Sequence, residues 1–257
     1  LMERATRLEL RQPEVLEQEV IRMMADPRSQ ALVENFAGQW LELRNLALAA
    51  PDPDIFPSFG DDLRSAMRQE TELFFETIMR EDRSIVDFLD ARFTFWNERL
   101  ARHYGMEGIK GDYFRRVNLD GRQRSGMLTQ ASVLMLSSYP TRTSPVLRGK
   151  WLLDNILGEP PPPPPPGVPE LEETKTASAV TLRQQLEIHR ANPACAVCHE
   201  KMDALGFGLE NYDAIGRWRT HEGALPLDTS GVLPGGKSFQ GPAELKVLLR
   251  SQKDDFA

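Results

Sequence analysis

The pentapeptide Cys195-Ala-Val-Cys198-His199 holds both cysteines of the chain and sets an imidazole directly after the second thiol. A redox disulfide at this spacing calls for a thioredoxin-like βαβ setting, and no strand-like alternation surrounds residue 195. A structural zinc ion calls for four ligands, yet there is no second cysteine pair, and His103, His189 and His221 are scattered. Covalent haem attachment needs two thiols for the two vinyl groups and an adjacent imidazole for iron. A chance five-residue match is the bland reading beside these. The pattern predicts one haem c, attached through Cys195 and Cys198, with His199 as the proximal iron ligand.

The sixth iron position decides what such a haem does: a methionine raises the potential, a second histidine tends to lower it, and an open position admits peroxide or small ligands. Met202 lies one turn after His199 on nearly the same helical face, so it reads as packing, and no methionine follows it. Distal candidates therefore come from upstream. They are His189, which also suits a surface or supporting role, and Met127 and Met135, which also suit an apolar core. The haem propionates need cations with aromatic neighbours. Arg217-Trp218-Arg219 supplies that mixture, with Arg148 and, beyond it, Arg142 and Lys150; ordinary salt bridges are the alternative for each.

The elements that must position these residues read as helical. Apolar residues recur at three and four spacing through Val15, Leu16, Val20, Ile21 and Met24, and again from Leu32 to Leu43. A turn-rich connection around Pro51–Gly60 precedes a long helix capped by Asp61 or Asp62 and running to Arg80. Helices are expected at 84–91 and 94–104, with His103 near the end of the second as a surface residue compensating the helix dipole. The many Glu–Arg pairs read as a solvated face. After a polar connector at 108–121 come a buried helix over 125–136 and another from Pro145 to Leu157. Pro160–Pro166 is an unbroken run of seven prolines, expected as a polyproline II rod of roughly 20 Å. Helices at 180–189 and from Asn192 or Pro193 (the short one bearing the cysteines), a hairpin turning at Pro234-Gly235-Gly236, and a last helix from Pro242 to Arg250 complete the reading.

Thirty-eight acidic against 31 basic residues give a net charge of −7, which argues against a nucleic-acid surface. No stretch approaches the roughly 18–20 apolar residues of a membrane-spanning helix, although association with a membrane complex is compatible with the sequence. The first residues open directly into an amphipathic pattern with no secretory leader, and a chain opening on Leu1 is expected to be a piece of something longer.

Several segments together resemble one family: Ser125–Gln130, Thr141–Trp151, the proline run, Asn192–His199, Met202–Phe207 and Leu209–Arg219. It is the family of large secreted, planctomycete-type, cytochrome-like proteins built of domains of unknown function. The resemblance covers nearly the whole chain and implies an extracytoplasmic haem protein of the periplasm or cell surface, with no established activity. The family pattern has proline after Met-Asp, where this chain has Ala204.

The expected fold is thus mainly α. It comprises a helical scaffold (1–107), a helical connector packing on the haem module (108–158), a polyproline linker (159–178), a haem c module (179–240) and the start of a further domain (241–257). The leading function is electron transfer with a redox partner protein or within a larger complex. A peroxidase-like enzyme with an open distal site and an interaction scaffold with a structural haem are the alternatives.

Overall fold

The amphipathic pattern of the first half folds around one long helix. In the computed structural model, which describes residues 1–162, 181–190, 193–234 and 236–252, α1 (Met2–Thr6) and α2 (Pro13–Ala25) lead into α3 (Gln30–Leu32). A π turn at Val33–Ala37 carries that helix into α4 (Gly38–Trp40). Helix α5 (Asp61–Arg80) buries Leu63, Met67, Phe74 and Ile78, spaced by four, seven and four residues, the apolar stripe that drives it onto the core. Its N-cap is Gly60, in extended backbone. Asp61 and Asp62 fall inside the first turn, where carboxylates complement the positive end of the helix without capping it.

The segment expected as two helices is instead α6 (Asp87–Asp90), a strand β1 (Phe93–Trp96) and α7 (Glu98–His103). The aromatic and β-branched run Phe93-Thr-Phe-Trp96 suits a pleated surface better than a helix. It pairs antiparallel with β2 (Arg115–Asn118), Phe93 facing Asn118 and Trp96 facing Arg115, within the stretch read as a plain connector. Asn97 then starts α7, its side-chain oxygen accepting the Leu100 N–H at 2.9 Å.

Residues 125–136 are likewise not one helix. A 3₁₀ turn at Met127–Thr129 is followed by α8 (Ala131–Leu136). Thr129 Oγ1 donates to Ser125 O and accepts from Ser125 N, a local bond that competes with helical pairing. Helix α9 (Pro145–Asn155) begins as the sequence predicts, with Pro145 in its first turn and Ser144 Oγ accepting from Leu147 N.

Beyond the proline run, of which residues 163 onward lie outside the described residues, come α10 (Leu182–Arg190) and α11 (Pro193–Phe207). The latter is fifteen residues long where a short helix is expected. The pairs β3 (His221–Glu222) with β4 (Leu225–Pro226), and β5 (Ser230–Val232) with β6 (Ser238–Gln240), follow. The second is the expected hairpin, and α12 (Gly241–Ser251) is the expected last helix. The molecule is mainly α, and no described helix is long and apolar enough to cross a membrane.

Among the described residues the main hydrophobic core runs from Val33 to Leu249 and draws on both halves of the chain, while Leu182 and Leu186 of α10 form a smaller cluster with Phe207. Helix α12 sends Leu245 and Leu249 into it and ties back to the first half through Arg250 on Asp90 and Lys246 on the Ser125 hydroxyl. Polar groups also reach across. The fully buried Glu70 accepts from Thr94 Oγ1 (2.7 Å), Trp96 Nε1 (2.9 Å) and the Tyr104 hydroxyl (2.5 Å), and burial pushes its carboxyl upward. Arg124 stacks 3.7 Å over the Tyr104 ring and donates to Thr129 O and Gly216 O. The solvated-face reading holds for pairs such as Arg80–Glu76 and fails for Glu70. His103 is corrected too: it is 8 % exposed and its Nε2 bonds the Ile215 carbonyl at 2.7 Å, joining the two halves of the chain.

Candidate functional site

Helix α11 carries the cysteine–histidine motif and is seated against α9 by two glycines. A Cβ on Gly149 would stand 1.7 Å from Met202 O, and one on Gly206 would stand 1.8 Å from Pro145 O. The two backbones therefore touch, which only residues without side chains allow. Moving four residues forward on α9, from 145 to 149, moves four backward on α11, from 206 to 202, so the helices run antiparallel. The half of α11 from Met202 onward is buried, whereas Cys198 and His199 in the preceding turn are half-buried.

Helix α10 forms the other side of the site. Leu182 and Leu186 pack on Phe207, and Arg190 continues the same i, i+4, i+8 strip. That register carries the Arg190 guanidinium to Asp203, with Nε 3.6 Å from Oδ2. Asp203, one turn after His199, has no exposed side-chain surface; its Oδ1 lies 3.0 Å from His199 Nδ1. With Nδ1 engaged by a carboxylate, Nε2 is the ring atom a metal would take.

The described donors, the Cys198 thiol and the His199 imidazole, are of the types that a haem c takes. A thiol and an oriented imidazole occupy adjacent positions on one half-buried helical turn. Among the described residues no cluster of three or more His, Cys, Asp or Glu could hold a metal ion. Cys195 lies in the first turn of α11 and His189 in α10, but both side chains fall outside the described residues.

The remaining predicted residues have protein partners. Arg148, wholly buried, donates to Glu210 Oε1 (2.9 Å) and to the carbonyls of Leu209 (2.7 Å), Tyr212 (2.8 Å) and Asp213 (2.9 Å), so it clamps the chain leaving α11 onto α9. Burial lowers its pKa, while Glu210 works to retain the charge. Arg219 meets the other oxygen of Glu210 at 2.8 Å, Arg217 pairs with Asp213 at 2.6 Å, and Trp218 packs edge-on against Tyr212. The structure thus gathers Arg148 and Arg219 on one carboxylate that the sequence reading passes over. Met127 is fully buried, and Met135 lines a cavity of about 300 Å³ with Leu48, Pro51, Tyr139 and Ala214, to which α10 and α11 contribute nothing. Asp203 and Arg190 were also missed. The i, i+4 spacing from His199 is a legible signal for the first; nothing local announces the second.

Residues 1–106 match the family model PSD4, described as a protein of unknown function (DUF1592), and residues 124–222 match PSCyt3, described as a protein of unknown function (DUF1588). Both families are typical of the planctomycete-type cytochrome-like proteins that the sequence resembles. No curated protein and no solved structure matches the chain.

Proposed function

We propose that this chain carries one covalent haem c, bound as thioethers through Cys195 and Cys198 and ligated by His199, and that it serves as an electron-transfer module of an extracytoplasmic protein. The observation that carries the reading is the motif itself, placed on a half-buried turn of α11 with the imidazole held by a carboxylate at 3.0 Å. A bound haem supplies reversible one-electron chemistry. The chain supplies the rest: α9 and α10 fix α11, Asp203 fixes the imidazole, and the core beneath excludes water from the inner half of the helix. The net charge of −7 suits a basic redox partner, an association that weakens with salt.

The test is expression with a c-type maturation system, followed by denaturation and a pyridine haemochrome spectrum. Haem should remain attached to the wild-type chain, and Cys195→Ser/Cys198→Ser should lose it. Wild-type chain that emerges without covalent haem would end the reading.

A haem enzyme with an open sixth position is the second reading, favoured by the burial of Met127 and Met135, whose side chains are 0 % and 4 % exposed and belong to the core. Rapid carbon monoxide binding by the reduced protein selects this reading, and no binding selects the six-coordinate carrier.

A further inference from the structure

Asp203 is an unusual carboxylate for a structural role. It has no exposed side-chain surface, one of its oxygens meets His199 Nδ1, and the other has no hydrogen-bond partner among the described residues. Arg190 Nε, 3.6 Å away, is likewise buried with no hydrogen-bond partner among the described residues, so the pair as described interacts through charge. Leaving such groups unsatisfied costs stability that an apolar residue would not. Away from water, the negative charge falls mainly on the imidazole proton, because low local dielectric strengthens the bond that is made.

We infer that Asp203 is a positioning residue for His199, one that sets the potential of the haem as well as the orientation of its ligand. This rests on the haem reading above. By drawing on the Nδ1 proton, the carboxylate makes Nε2 a stronger donor, and a stronger donor stabilises the oxidised iron more than the reduced iron. Arg190, across the interface with α10, moderates that charge. The pair predicts a low-potential haem, one suited to passing electrons onward rather than capturing them from weak donors.

Redox titration of the full chain with haem attached tests this. Asp203→Asn keeps the shape and the acceptor oxygen but removes the charge. The midpoint potential should rise by about tenfold in the reduction equilibrium, ~59 mV for one electron, and the ferric electron paramagnetic resonance spectrum should shift. Asp203→Glu should restore part of the wild-type value. Arg190→Gln should move the potential down, and it decides the matter alone if Asp203→Asn does not fold. Glu200→Gln removes the same charge from an exposed neighbour of His199 and should move the potential less. If the haem is attached and Asp203→Asn leaves the potential unchanged, or moves it no more than Glu200→Gln does, the inference fails while the haem reading stands. If wild-type chain carries no haem, both fall.

Discussion

His103 shows how much a single side chain depends on what packs against it. Burial drives its pKa down to about 4, since the neutral ring is what a site beneath Ile215 and beside Arg124 accommodates. The unfolded chain, with an ordinary value near 6.5, then takes up protons that the folded state refuses. The stability that His103 contributes is whole above pH 6.5 and is lost as pH falls towards 4, on the order of 3 kcal/mol across that window. Urea denaturation of wild type and His103→Asn at pH 7 and pH 4.5 checks this. The variant should show the shallower loss on acidification, and parallel curves would contradict it. None of this is legible locally: His103 beside Tyr104 at a helix end looks like a surface residue, and the Ile215 carbonyl that buries it is 112 residues away.

At the scale of elements, the α9–α11 contact governs the site. Gly149→Ala would drive a methyl group into Met202 O, which a rigid helix pair can relieve only by separating. We expect a loss of about 2 kcal/mol or more by thermal or urea denaturation. Gly158→Ala, at φ +62° with nothing within 4 Å, should cost only about 1 kcal/mol, from backbone strain alone. Arg148→Met tests the same contact from its polar side. It leaves Glu210 half-paired and the carbonyls of Leu209, Tyr212 and Asp213 short of a donor, an expected cost of about 3 kcal/mol or more. The extent of most helices was open to periodicity: α5 runs from Asp61 to Arg80 as read, and α12 is within a residue of expectation. The strand β1 was not, because its aromatic residues suit a helix's apolar face until Arg115–Asn118 arrives to pair with them.

Across the whole molecule, Arg124, His103, Lys246 and Arg250 each join residues that are far apart in sequence, and one core contains both halves. Unfolding should therefore be a single cooperative event. Tryptophan fluorescence, reporting from Trp40 and Trp96 in one half and Trp151 and Trp218 in the other, should change at the same denaturant concentration as far-ultraviolet circular dichroism. Separate transitions would mean that the halves fold independently.

By itself the sequence determined the chemistry on offer and most of the helices. Two thiols and an imidazole at fixed spacing are a covalent fact, and apolar periodicity is set residue by residue along the chain. Only the tertiary structure decided what surrounds that chemistry. It brings Glu210 between Arg148 and Arg219, and it buries Met127 and Met135, whose types suit either a core or a ligand, in the core. Asp203 gains its hold on His199 within one helix turn, but its charge is shaped by Arg190 from another helix. Those outcomes depend on burial and on distances between segments remote in sequence, and local spacing encodes neither.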